Sequence, residues 1–432
     1  MTLQSALRQR KMAAPLAAYR RLDEAERANR DAVQLEALNR SWGESLTLSP
    51  WARALREQLD LPDRFADWRD FEARIAIIGK AELRAAVEAG SRGATPKTQW
   101  RSTGGTTAQP LRFPVFESET RVASLDIWLG RQRLGVGAGD RLFLIWGHSH
   151  LFGSGWRGRL NALRRQLSDA ALGYTRWSAY RLSRDDLRQA GEALLASRAR
   201  YVIGYSSALD RFARVNEDRA DDFARLGLKT VIATAEGFPR ADSRALVSRV
   251  FGCPAVMEYG CVETGPMAYE QPGAGYDVFW RHHRLELDGE GAVVVTSLFP
   301  RALPLLRYRV GDLAVSDEAG PGLVHVAAIG GRCNDAVPLP DGAPIHSEAF
   351  THAVRDTPGL LAYQIVRHGP GAWPSIRYEA GAEIAGEAED ALRRRLGLIA
   401  PGLESIRLEK VTTLPASVAG KHRMVVDADE AG

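Results

Sequence analysis

Cysteine, lysine and long apolar runs are all scarce in this chain. Cys253, Cys261 and Cys333 are the only cysteines in 432 residues. Being odd in number and without C-x-x-C spacing, they exclude a disulfide framework and a zinc knuckle, and the chain suits a reducing compartment. No apolar run is long enough to span a bilayer, and the N-terminus lacks the apolar core of a signal peptide, so a cytoplasmic protein with no membrane partner is expected. The arginine-rich stretch 1–21 imitates a transit peptide in composition, but its apolar spacing fits an N-terminal helix. Excess charge of one sign is missing too. The formal net charge is +4, the basic residues are scattered rather than striped, and nucleic acid is not implied. Only six of the 57 basic residues are lysines. A lysine kept against that arginine background is a candidate for work that needs a compact, deprotonatable ammonium.

What is present is length and alternation. The chain has room for a large domain and a smaller one. Residues 1 to about 90 read as helices, with Leu16, Tyr19 and Leu22 at helical spacing and a proline-opened helix over 50–59. Further on, helices expected at 117–134, 183–198, 209–225 and 242–251 alternate with short apolar strands at 141–147, 201–205, 230–234 and 255–259. Alternation of this kind means a parallel sheet covered by helices on both faces, with ligands beyond the carboxyl ends of the strands. His148, Ser206, Ser207, Glu236 and Glu263 fall at those ends. From about 275 the pattern turns β-rich, with strands at 292–298, 305–310 and 323–329. After Arg332 it restarts as an α+β unit, with strands at 361–367, 375–379 and 405–411 and helices at 347–355 and 382–396. The expected fold is α/β: a large N-terminal domain, 1–332, of mainly parallel sheets covered by helices, and a small C-terminal α+β domain, 333–432.

The stretch W-R-S-T-G-G-T-T-A-Q-P at 100–110 sets Gly104 and Gly105 among the hydroxyls of Ser102, Thr103, Thr106 and Thr107. Such a loop can turn its N–H groups toward one oxyanion, because glycine accepts positive φ and presents no Cβ. It matches neither the Walker nor the dinucleotide pattern, and alone it is an ordinary polar loop. Four later segments give it company: Y-G-C-V-E-T-G at 259–265, Y-R-V-G-D at 308–312, G-G-R at 330–332 and P-A-S-V-A-G-K at 415–421.

In this order the motifs resemble the adenylate-forming superfamily of acyl- and aryl-CoA synthetases, luciferases and peptide-synthetase adenylation domains, most of all its phenylacetate-CoA ligase branch. The segments I-A-T-A-E-G at 232–237 and P-L-L-R-Y-R-V-G-D-L at 304–313 add to the likeness, which covers about 75–425. The resemblance implies an AMP-forming acid–thiol ligase that uses ATP, Mg²⁺ and CoA. By the same likeness, Gly104, Gly105, Thr106 and Thr107 would hold the leaving phosphates and Glu263 would hold Mg²⁺. Tyr259 and Gly260, with Ala235, Glu236 and Gly237, would flank the adenine. Asp312 and Arg332 would bind the ribose, and Lys421 would reach the substrate carboxylate and the α-phosphate. A mobile small domain, hinged near 333–335, is also implied.

The chain departs from that pattern in several places. Gly104, Ala108 and Gln109 stand where the family loop has a hydroxyl residue, glycine and lysine. Gln271 and Tyr276 lie where phenylacetate-type relatives carry Cys and His for a structural zinc, so no zinc is expected. Trp146, His148, Tyr205 and Tyr259 are the candidates for an acyl pocket suited to an aromatic acid, with His150, Phe152, Trp156 and the F-W-R-H-H run at 279–283 nearby in sequence. His282 and His283 read as a surface turn rather than a metal pair. An amine or a carrier-protein thiol is an alternative acceptor, a non-catalytic nucleotide-binding relative is an alternative of another class, and a homodimer is open.

Overall fold

The computed structural model describes residues 2–89, 98–102, 111–146, 155–179, 184–235, 237–238, 242–318, 320–332, 336–340, 344–346, 350, 353–354, 357–369, 371–412, 414 and 425–428. At 155–159, 161–162, 207, 331–332, 336, 344–346 and 361–362 it describes the backbone alone. The loop 103–110, His148, Glu236, the expected boundary at 333–334 and Lys421 therefore lie outside the described residues.

Five helices open the chain: α1 (Leu3–Ala25), α2 (Arg30–Leu48), α3 (Pro50–Leu59), α4 (Trp68–Arg74) and α5 (Lys80–Ala89). Their starts follow local chemistry. The side chains of Thr2, Ser49 and Asp67 accept from the free N–H groups of Ser5, Ala52 and Asp70, and Pro50 sits at the first turn, where no N–H is needed. Leu38 and Trp42 of α2 pack with Leu298 and Leu306 from far along the chain.

Next come a hairpin of β1 (Thr98–Ser102) and β2 (Arg112–Phe116), then α6 (Glu117–Arg133), β3 (Leu142–Trp146), α7 (Gly155–Leu172), β4 (Tyr174–Ser178), α8 (Arg184–Ser197) and β5 (Tyr201–Tyr205). The chain continues through α9 (Ser206–Val215), α10 (Ala220–Ala224), β6 (Val231–Thr234), α11 (Ser243–Phe251), β7 (Ala255–Cys261), β8 (Gly265–Gln271) and β9 (Gly275–Val278). Then follow β10 (His283–Leu287), β11 (Ala292–Ser297), β12 (Tyr308–Val315), β13 (His325–Val326) and β14 (Ala328–Arg332).

The main sheet has the order β13-β9-β8-β7-β6-β5-β3-β4. Its β7, β6, β5, β3 and β4 run parallel, and β8, β9 and β13 extend it antiparallel. Side chains alternate between its faces. Phe143, Ile145, Val202, Val231 and Ala233 meet Leu187, Phe212 and Val247 of α8, α9 and α11. Leu142, Leu144, Tyr201, Ile203 and Ile232 meet Leu16 and Tyr19 of α1 and Trp128 of α6. A second sheet, β10-β11-β12-β14, is antiparallel throughout, and it packs with Leu83 and Val87 of α5.

The C-terminal α+β unit contains the hairpin β15 (Ala336–Pro338) and β16 (Pro344–His346), then β17 (Leu360–Arg367), β18 (Ser375–Ala380), α12 (Glu387–Ile399), β19 (Leu408–Lys410) and β20 (Val425–Asp427). Its sheet has the order β19-β18-β17-β20 and closes over Leu392, Leu396 and Leu403. The fold class is the one expected from the sequence.

Several elements differ from expectation for physical reasons. The strand expected at 305–310 is β12, displaced toward the C-terminus. Leu305 and Leu306 are buried but not in a strand, because Arg307 adopts a left-handed φ of 49° and interrupts the extended run. The helix expected over 209–225 begins at Ser206 and stops at Asn216, whose side-chain amide donates to Leu187 O and Phe212 O, both at 3.0 Å. The 323–329 stretch divides between β13 and β14. Asp242 precedes α11 without a side-chain cap bond and accepts instead from Arg214 at 2.9 Å. The hairpin β1–β2 and strands β4, β8, β9, β10 and β20 were not legible as strands.

Candidate active site

The turn between β7 and β8 carries Glu263, and its tightness comes from glycine. A Cβ on Gly260 would lie 2.3 Å from Gly265 O and 2.7 Å from the Pro266 Cα, and the β7–β8 register shifts at Tyr259/Gly260, so only glycine fits that bulge. Thr264 Oγ1 accepts from Cys261 N–H at 3.3 Å and donates to Gly265 O at 2.7 Å. The buried guanidinium of Arg301 donates to the Glu263 carbonyl, and its Nε lies 3.3 Å from Glu119 Oε2 of α6.

Glu263 is 7% exposed. Its Oε1 faces the hydroxyl of Tyr308 at 3.5 Å and the ammonium of Lys80 at 3.7 Å.

Asp312 lies on β12, after Gly311, whose φ is +92°. Its Oδ2 accepts from the hydroxyl of Tyr259 at 3.1 Å. The β12–β14 register pairs it directly with Arg332, so the two expected ribose ligands are cross-strand neighbours. The thiol of Cys261 is pushed up to about 12, first by burial and then by the charge of Glu263, with a smaller contribution from Asp312. That coupling puts both carboxylates in one neighbourhood.

At the carboxyl end of β6, Ala235 adopts φ +73°, a conformation that costs a residue with a Cβ on the order of 1–3 kcal/mol and collects at ligand sites. Both Ala235 and Gly237 are exposed. Trp146 and Tyr205 end the adjacent strands β3 and β5, their ring centroids 4.7 Å apart, and both are half-buried. Trp146, Tyr205, Ala235 and Tyr259 thus stand at the same edge of neighbouring strands. Ser206 is fully buried with its hydroxyl toward Met257 Sδ at 3.9 Å, away from that edge.

His282 and His283 are not a surface turn. His283 is 1% exposed, and His282 Nδ1 lies 2.8 Å from the buried Asp126 Oδ1, which also accepts from Tyr19 at 2.7 Å. Sequence reading missed Lys80, Tyr308, Arg301 and Glu119. Lys80 had a signal as one of the few lysines, and Tyr308 as the first residue of Y-R-V-G-D.

The donor chemistry tolerates Mg²⁺. Glu263 supplies one hard oxygen ligand of the kind the ion takes beside phosphates and waters. Among the described residues no group of three or more His, Cys, Asp or Glu could hold a metal by itself, and no helix is long and apolar enough to cross a membrane.

The fold is shared with solved structures of several CoA ligases and synthetases. 2-Hydroxyisobutyryl-CoA ligase in its postadenylation state with 2-HIB-AMP superposes with a TM-score of 0.67 at 18% identity, over 93% of this chain and 90% of that one. ATP-bound MatB from Rhodopseudomonas palustris gives 0.50 at 17% identity, over 78% and 70%. Acetoacetyl-CoA synthetase from Streptomyces lividans gives 0.51 at 15% identity, over 75% and 53%. No protein-family model matches the sequence, and no curated protein matches it significantly.

Proposed function

We propose that this chain activates a carboxylic acid, aromatic in class, with ATP to give an acyl-adenylate, and then passes the acyl group to the thiol of CoA. The observation that carries this reading is the meeting of the β7–β8 turn, which carries Glu263, with Asp312 of the second sheet, Tyr259 of β7 being bonded to Asp312, in a fold shared with a CoA ligase whose structure holds an acyl-AMP.

In the first step a carboxylate oxygen attacks the α-phosphorus and pyrophosphate leaves. No base is required, so the protein's contribution is orientation and neutralisation of charge. Asp312, held by Tyr259, accepts from the ribose hydroxyls, and Arg332, its cross-strand neighbour, serves the same sugar. Tyr259, Gly260 and the 235–237 segment flank the adenine, and Thr106 and Thr107 serve the leaving phosphates. Magnesium held by Glu263 supplies further positive charge when bound. Lys421, on the small domain, reaches the reacting oxygens and is withdrawn for the second step by rotation about 333–335. The paired rings of Trp146 and Tyr205, with His148, support an aromatic acyl group.

The test is pyrophosphate release against a panel of carboxylic acids, with and without CoA. Release with aromatic acids and a CoA thioester by mass spectrometry are expected. Release that CoA does not turn into thioester would move the acceptor to an amine or a carrier-protein thiol, and no release with any acid would overturn the reading.

A further inference from the structure

The loop between β1 and β2 contains no cation. From Ser102 to Leu111 there is neither lysine nor arginine, and Gln109 stands where the loop of the family that the motifs resemble has lysine. A triphosphate brought there still needs a compact positive charge, because the charge on the departing pyrophosphate grows as its bond to the α-phosphorus breaks.

A lysine from elsewhere in the chain stands at the adjoining carboxylate. Lys80 opens α5, and its Nζ lies 3.7 Å from Glu263 Oε1, with the side chain 32% exposed. The backbone that carries it is held in place. Ile78 N–H donates to Arg307 O at 3.1 Å, and Arg309 N–H donates to Ile78 O at 2.8 Å, so the chain just before Lys80 lies as a short parallel bridge along the start of β12. The guanidinium of Arg307 clamps the same segment through the carbonyls of Glu72 and Ile75, at 3.4 and 3.0 Å. Behind Lys80, Leu83 and Val87 are buried with Tyr259 and Tyr308. The base of the side chain is thus rigid, while its head is partly in solvent on a four-carbon stem able to turn from a carboxylate to a phosphate.

We propose that Lys80 is the cation that meets the outer phosphates of ATP beside Glu263, in the place of the lysine that the β1–β2 loop lacks. The proposal rests on the nucleotide reading above. In the step it serves, a carboxylate oxygen of the acid forms a bond to the α-phosphorus. The bond from that phosphorus to the bridging oxygen breaks, its electron pair leaves on pyrophosphate, and no proton is transferred. The Lys80 ammonium stays charged throughout and stabilises that leaving group.

The experiment is calorimetric titration of the full chain with ATP, AMP and inorganic pyrophosphate at low and high salt, using wild type, Lys80→Met, Lys80→Gln and Lys80→Arg. Loss of about tenfold or more in ATP and pyrophosphate affinity is expected for Met and Gln, with AMP within about twofold, partial recovery in Arg, and a shallower salt dependence. Equal losses for ATP and AMP would mark Lys80 as a prop for Glu263 and overturn the proposal, as would unchanged ATP affinity in both neutral variants. A wild-type chain that binds neither nucleotide would overturn the nucleotide reading itself, a result distinct from ATP binding that ignores Lys80.

Discussion

Gly260 and Asp312 put the site to the test one side chain at a time. Gly260→Ala would drive a Cβ into the Gly265 carbonyl and the Pro266 Cα, both backbone and therefore unable to swing aside. A loss of about 1–3 kcal/mol is expected in chemical denaturation, together with weaker nucleotide binding because the Glu263 turn shifts. If Asp312 accepts from the two ribose hydroxyls as proposed, Asp312→Ala removes bonds worth roughly 1.5–3 kcal/mol, and calorimetry should find ATP and AMP weakened alike. Tyr259→Phe should cost less, since the carboxylate keeps its charge and loses only the hydroxyl that orients it. Unchanged AMP affinity in Asp312→Ala would remove that residue from the site.

Two elements make further claims. The β1–β2 hairpin pairs Ser102 with Arg112, so the loop 103–110 springs from a defined base. If backbone N–H groups and the Thr106 and Thr107 hydroxyls hold the phosphates, Thr106→Val should lower turnover severely. Gln109→Lys should tighten ATP by no more than about 1 kcal/mol, and by less in high salt. A harmless Thr106→Val with a disabling Gln109→Ala would require the loop contacts to be redrawn.

On β10, His283 is held well below its ordinary value of 6.5, by burial first and then by the charges of His282 and Arg301. Asp126 lies 3.8 Å from its Nε2 but already serves Tyr19 and His282, and Arg101, Glu119 and Glu263 line the same cleft. With the native value depressed, the unfolded chain binds this proton more readily. The stability His283 contributes is therefore present above 6.5 and lost as pH falls through its native value. Thermal midpoints should fall from about pH 7 to about pH 5, with a shallower slope in His283→Gln. An identical slope in the variant would assign the acid sensitivity to other groups.

At the scale of the whole molecule, the proposed reaction would draw on Lys421 as well as on the residues around Glu263 and Asp312. Lys421 precedes Val425 by four residues in the sequence, and Val425 of β20 pairs with Ile365 of β17 in the small sheet. If Lys421 supplies charge at the reacting oxygens as proposed, Lys421→Ala lowers pyrophosphate release by orders of magnitude and leaves the unfolding midpoint unchanged. The same variant should still convert supplied acyl-AMP to thioester with CoA. Wild-type pyrophosphate release would separate Lys421 from the chemistry.

The sequence by itself determined the layering, because the period of its apolar residues reports burial directly. The runs at Leu142–Trp146 and Tyr201–Tyr205 read as strands since both of their faces are covered, and β4, half-exposed along its length, did not. Motif order singled out Tyr259, Glu263 and Asp312 as candidates, since glycine at a tight turn and an acid after it leave a local mark. Tertiary structure alone decided what surrounds them. Lys80 and Tyr308 reach Glu263 from separate segments, and the buried His283 and Arg301 meet Asp126 and Glu119 of α6, more than a hundred residues away in the chain. A charged group buried by pairing has no hydrophobic period, so neither its depth nor its neighbours can be read from the residues beside it.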